Sequence, residues 1–177
     1  MAKVIVLNGT SSSGKTTIAR AVQELAPRRF LNFSIDSILY TLPPRDLERI
    51  VRGGSSDDLA DLHLPQLVRA FYACVRQLLE LGHDLIVDHA VTAAYHRELL
   101  GEAIASHEVL LVGLDCPPEI LRERERARGD RRLGMAEVQA ARIHTLLEYD
   151  LRIDTSMTSP EEAAARIVGH EFLGAAR

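Results

Sequence analysis

The stretch "KVIVLNGTSSSGKTTIAR", Lys3 to Arg20, decides the fold. Its first half is a short, continuous apolar run rich in β-branched residues, the composition of a strand covered on both faces. Its second half turns to a helical pattern that extends from Lys15 to Leu25. Between them "GTSSSGKT", Gly9 to Thr16, fits G-x-x-x-x-G-K-[ST], with a strand leading in and a helix leading out as that motif requires. Phosphate oxygens crowd against such a loop, so Gly9 and Gly14 permit close approach and positive φ. Successive backbone N–H groups and the helix N-terminus then present converging positive dipoles to an anion. Lys15 can bridge the β- and γ-phosphates, and the Thr16 hydroxyl can reach Mg²⁺. Thr10, Ser11, Ser12, Ser13 and Thr17 complete the candidate nucleotide-binding set. The bland alternative is a strand-to-helix turn of small residues with a solvated lysine, and the flanking elements weigh against it.

Outward from this stretch, short β-rich runs alternate with helix-period segments, the pattern of βαβ units around a parallel sheet. The strands are expected at Lys3–Asn8, Phe30–Ile35, Asp84–Asp88, Glu108–Cys116 and Asp150–Asp154. Helices are expected at Lys15–Leu25, Leu64–Leu81, Tyr95–Ser106, Pro118–Ala127, Ala136–Leu147 and Pro160–Phe172. The last starts on a capping box, with Ser159 as N-cap, Pro160 at N1 and Glu162 at N3. Polar "PPRD" and "RGGSSDD" mark an excursion after the second strand, helical around Asp46–Val51. The expectation is a single α/β domain over residues 1–177, a three-layer P-loop NTPase fold, with an acceptor-side excursion near 37–64 and a lid near 124–136.

Composition narrows the function. With 177 residues, 46% apolar and 26% charged, the chain reads as one globular unit able to bury roughly two thirds of its unfolded surface. A formal net charge of -4 gives no basic footprint for nucleic acid. No apolar run reaches the ~20 residues needed to span a bilayer, and no signal-peptide pattern is present. Cys74 and Cys116 sit in apolar runs at no metal-ligand spacing, and both read as buried thiols of a reducing cytoplasm.

A phosphate loop fixes the donor, and other residues must fix the reaction. "FSIDS" places Asp36 at the C-terminal end of the second strand, on the ligand-binding edge of an open α/β sheet, where a carboxylate could take the proton of an attacking hydroxyl. The same residue could simply cap the turn that follows. "LIVDH" ends the third strand with Asp88, a Mg²⁺ ligand or acceptor contact in the functional reading and a loop-satisfying carboxylate in the structural one. His89 beside it reads as a hydrogen-bonded structural residue. In "LRERERARGDRRLGM" six arginines surround a helix end. Phosphoryl transfer needs positive charge that closes over the γ-phosphate and excludes water. Arg124, Arg128 and Arg131 are the candidates for that task, Arg131 as a catalytic group. Arg122 and Arg126 read as surface, with Glu123, Glu125 and Asp130 available for i,i+4 pairs.

These pieces together resemble the chloramphenicol phosphotransferase family of P-loop kinases. The resemblance lies in "VIVLNGTSSSGKTTIAR", "FSIDS", "LIVDH", "RERARGDRRLGMAEVQA" and "YDLRIDTSMTSPEEAA". It implies an adenylate-kinase-like five-stranded sheet of order 2-3-1-4-5 and ATP-dependent phosphorylation of an antibiotic hydroxyl. It also implies Asp36 as catalytic base, Arg124, Arg128 and Arg131 as lid arginines, and a tail turn in which Thr155 and Ser156 approach the adenine. Between Leu39 and Leu64 the resemblance lapses, and there an acceptor would lie. The leading expectation is therefore an ATP- and Mg²⁺-dependent kinase of a small-molecule hydroxyl, an antibiotic or else a nucleoside, sugar or shikimate-type metabolite. A regulatory NTPase is the alternative from another class, and a nucleic-acid or membrane partner is not expected. A homo-oligomer is compatible with the same residues.

Overall fold

The computed structural model describes residues 1–53, 58–128 and 134–173. Five parallel strands, β1 (Lys3–Gly9), β2 (Phe30–Ser34), β3 (Asp84–Asp88), β4 (Glu108–Asp115) and β5 (Leu151–Asp154), form one sheet. Its order is β2-β3-β1-β4-β5, the order that the resemblance implies. The helices among the described residues are α1 (Lys15–Leu25), α2 (Ile35–Leu39), α3 (Pro44–Arg52), α4 (Leu64–Glu80), α5 (Ala94–Ile104), α6 (Pro118–Arg128), α7 (Met135–Ala140) and α8 (Pro160–Val168). Short 3₁₀ turns lie at Ala60–Leu62 and Glu171–Leu173.

The continuous apolar run of β1 is explained by what covers it. Successive side chains of a strand point to opposite faces. Ile5 and Leu7 enter one core with Ile18 and Val22 of α1 and Ile167 of α8. Val4 and Val6 enter the other with Phe71 and Val75 of α4 and Leu100 of α5. Each such side chain stabilises the fold by about 1.5–3 kcal/mol on burial. Parallel pairing aligns the strand ends: Asp88 of β3 stands beside Leu7 of β1 on one side and Ser34 of β2 on the other.

Four expectations are corrected by the structure. β2 ends at Ser34 and Asp36 lies in the first turn of α2, where the Ser34 hydroxyl, not the Asp36 carboxylate, is the N-cap, accepting from Asp36 N–H at 3.3 Å. The helix expected at Ala136–Leu147 stops at Ala140, and carbonyls further along the expected span bond to side chains. Arg142 O accepts from the Thr145 hydroxyl, and Ile143 O accepts from Asn8 and Tyr149. α8 stops at Val168, after which the chain turns so that Phe172 can meet Lys3, whose ammonium donates to Phe172 O at 2.6 Å and lies 4.6 Å from its ring centre. Cys74 is exposed and Cys116 half-buried: the buried stripe of α4 is Phe71, Tyr72, Val75 and Leu79, and Cys74 falls outside it.

Candidate active site

The phosphate-binding candidates are gathered at the C-terminal edge of β1. Gly14 is the residue before α1 and takes φ +92°, which opens the helix without a side-chain cap. Ser12 is also left-handed, at φ 60°. The side-chain oxygens of Ser11, Ser12 and Ser13 are buried without a hydrogen-bond partner among the described residues. Buried hydroxyls are normally paired, and the uncapped N-terminus of α1 beside them offers free backbone N–H groups to an anion in the cleft. Lys15 Nζ donates to Gly9 O at 3.0 Å and Thr10 O at 2.8 Å. A cleft of about 270 Å³ opens over the loop, bounded by Ser12, Lys15, Thr16, Thr17, Arg124 and Thr155, with Thr158 and Pro160 at its far wall.

Asp88 is 3% exposed at the end of β3 and accepts from the Thr16 hydroxyl at 2.7 Å, while Lys15 Nζ stands 4.0 Å from its other oxygen. A hydroxyl and a carboxylate side by side suit a hard cation that keeps several waters and shares phosphate oxygens, the habit of Mg²⁺. Asp36 opens α2 on the same edge of the sheet, half-buried. His89 is buried and its Nδ1 lies 2.7 Å from the Tyr72 hydroxyl. Burial, then the neighbouring His96 and Lys15, push the His89 imidazole down to about 3, so it is neutral at ordinary pH. Burial likewise lowers His96, whose Nδ1 accepts from Thr92 N–H at 3.3 Å. The structural role expected for His89 is the one its contacts describe.

Arg124 and Thr155 meet. The guanidinium donates to Thr155 O at 2.7 Å and to its hydroxyl at 3.3 Å, which fixes it as one wall of the cleft. Ser156 turns away, its N–H and hydroxyl both donating to Asp154 Oδ1. Arg122 and Arg126 are exposed, Arg122 reaching Glu137 at 3.5 Å. Arg128 ends α6, and Arg131 lies outside the described residues. Glu125 departs from the surface role expected of it: it is 2% exposed and accepts from Gly134 N–H at 2.9 Å and Ala136 N–H at 2.8 Å. Beyond α2, Arg49 of α3 ties the excursion together, donating to both carboxylate oxygens of Asp61 and to Asp58 O.

Several residues around the loop escaped sequence reasoning. Asn8, Gln139, Tyr149, Thr158 and Pro160 lie within the segments that carry the family resemblance, but none of them was singled out as a site residue. Asn8 alone carried a signal, as a polar side chain closing an otherwise apolar strand immediately before the first loop glycine.

The sequence profile described as "Chloramphenicol phosphotransferase-like protein" matches residues 2–171. A Mycobacterium tuberculosis protein provisionally named an O-phosphotransferase is 32% identical over 190 residues, covering 93% of this chain and 80% of that protein. Among solved structures, a sugar kinase from a Janibacter species superposes with a TM-score of 0.72 at 23% identity, covering 95% of this chain and 93% of the other. The Mycobacterium tuberculosis APS kinase, solved with AMPPNP and APS, superposes with a TM-score of 0.64 at 19% identity over 94% and 95% of the two chains. These two likenesses establish the fold, and the profile match, over nearly the whole chain, establishes the family. The chain belongs to the chloramphenicol phosphotransferase-like family and is a phosphotransferase built on the P-loop kinase fold.

Proposed function

We propose that the chain transfers the γ-phosphoryl group of ATP to a hydroxyl of a small molecule in the cytoplasm, with chloramphenicol or a similarly hydroxylated antibiotic as acceptor. The observation that carries this reading is the register of three neighbouring strands near their C-terminal ends. Ser34, Asp88 and Leu7 stand side by side, so Asp36, two residues past Ser34, opens its helix across Asp88 from the phosphate loop. The antibiotic acceptor is supported by family membership.

In this reading the acceptor oxygen bonds to the γ-phosphorus, its proton passes to the Asp36 carboxylate, and the bond to the β,γ-bridging oxygen breaks to release ADP. Lys15, the amides of the loop and the start of α1 meet the negative charge that builds on the moving group. Thr16 and Asp88 would hold Mg²⁺, which when bound neutralises charge on the β- and γ-oxygens. Arg124 orients the nucleotide from the cleft wall beside Thr155. Arg128 and Arg131 complete the cover, with residues 124–136 as a lid and 37–64 as the acceptor side of a single domain spanning 1–177.

An ATP-consumption screen against hydroxylated antibiotics, nucleosides, sugars and shikimate-type acids tests the reading, with Asp36→Ala as blank. A hydroxylated antibiotic is expected to raise turnover, and Asp36→Ala to lower it by about 10²–10⁴-fold while ATP binding survives. If no acceptor lifts turnover above basal hydrolysis, the kinase reading fails; if only a metabolite does, the antibiotic assignment alone fails.

A further inference from the structure

We infer that Asn8 and Tyr149 form a joint that holds α6 and α7 in register with the phosphate loop and with the chain leaving Asp88, and that both are positioning residues for phosphoryl transfer. The inference rests on the phosphotransferase reading above. Asn8 is fully buried one residue before Gly9. Its amide donates to Ile143 O at 2.8 Å and to Tyr149 Oη at 2.6 Å, and its carbonyl accepts from Val91 N–H at 2.8 Å. Three polar groups distant in sequence thus meet on one side chain, and the buried Val91 N–H depends on it for its bond.

Each partner leads to a part of the site. Val91 lies three residues past Asp88, so its bond fixes the exit of β3. Ile143 follows α7, and Gln139 of α7 accepts from Ser11 N–H at 2.6 Å, within the phosphate loop itself. The start of α7 is held by Glu125 of α6, next in sequence to Arg124 on the cleft wall. A continuous set of bonds therefore runs from the helix that carries Arg124, through α7, to Ser11 and Asn8, and on to the segment after Asp88. Tyr149 is placed with equal care. A Cβ on Gly113 of β4 would come 2.9 Å from its ring, so the ring lies where only glycine leaves room. Its hydroxyl is also 2.9 Å from His144 Nδ1 and 3.2 Å from Ile143 O. None of these residues need touch the reacting atoms. They act by keeping in mutual register the groups that do, and errors of an ångström in such placement are costly to turnover.

The test uses Tyr149→Phe, Gly113→Ala, their double variant and Asn8→Asp in the full chain, reading ATP turnover, the ATP dissociation constant and the melting temperature. Tyr149→Phe and Gly113→Ala are each expected to lower kcat by about tenfold or more while ATP affinity stays within about threefold, since the joint positions rather than binds. The double variant is expected to fall no further than the worse single, because both break one joint. Asn8→Asp keeps the acceptor for Val91 N–H but turns both donors into acceptors, and is expected to lose more turnover than Tyr149→Phe. Melting temperatures that drop with kcat unchanged, or additive losses in the double variant, overturn the joint. Should Asn8→Asp not fold, Tyr149→Phe and Gly113→Ala decide. A wild-type chain that neither binds nor consumes ATP would instead sink the phosphotransferase reading beneath it.

Discussion

Gly9 and Gly14 bracket one loop for different physical reasons, and that difference is testable. Gly14 has open space around it but takes φ +92°, so an added methyl meets nothing and strains only the backbone, by about 1–2 kcal/mol. At Gly9 the space itself is closed: a Cβ would lie 2.5 Å from Ser13 Oγ and 3.0 Å from Leu114 Cβ. Gly9→Ala is therefore expected to displace the loop and weaken ATP binding by more than tenfold, with Gly14→Ala the milder of the two. Adding Ser13→Ala to Gly9→Ala should restore only part of the loss, since Leu114 O remains 3.1 Å away. Nucleotide titration of the three variants checks the order, and wild-type affinity in Gly9→Ala would refute the close-approach argument. Residues of this kind were legible because a motif gave them spacing. Glu125 was not, since a glutamate among arginines looks alike whether it is buried or wet.

Elements were legible where local chemistry alone sets them. α1 runs from Lys15 to Leu25 as the sequence predicts, and α8 starts on the expected capping box, with the Ser159 hydroxyl accepting from Glu162 N–H at 3.2 Å and Glu162 Oε2 accepting from Ser159 N–H at 2.9 Å. Where tertiary contacts capture backbone groups, the periodicity misleads. Past the end of α7, the Ile143 carbonyl accepts from Asn8, far away in sequence, as well as from Tyr149, a capture that no local pattern announces. The capping box reaches the candidate site too, because Pro160 at the start of α8 lines the cleft over the phosphate loop. Ser159→Ala is expected to cost about 1 kcal/mol of stability by leaving the Glu162 N–H without its cap. It should also loosen the turn that carries Thr155 and Thr158, lowering ATP affinity by about two- to fivefold at unchanged kcat. Urea denaturation together with nucleotide titration checks both halves, and a lowered kcat would show that the turn reaches the chemistry.

At the scale of the whole molecule, one sheet divides the interior into two cores and lifts its strand ends to a single edge. The same burial that makes the cores keeps several imidazoles neutral. His89, His96 and His144 all lie below the ordinary histidine range, chiefly through burial, His89 down to about 3. In the unfolded chain these groups take up protons once pH falls below about 6.5, whereas the folded chain holds His89 neutral until near 3. The unfolded state thus binds more protons throughout that window, and stability must fall as pH falls. The depressed carboxylates, Asp61, Glu108, Asp154 and Glu162, add their losses only below the ordinary carboxylate range, so they leave the upper part of the window to the histidines. Between pH 7.5 and 5.5 the unfolding free energy is therefore expected to decline, with His89 alone approaching a slope of about 1.4 kcal/mol per pH unit once its unfolded form is charged. His89→Gln retains a polar side chain for Tyr72 but has no proton to gain, and should flatten the decline by roughly that one proton. Urea denaturation at pH 7.5, 6.5 and 5.5 for both chains measures the difference; parallel curves would mean that His89 is not the neutral, buried imidazole its contacts with Tyr72 and His96 describe.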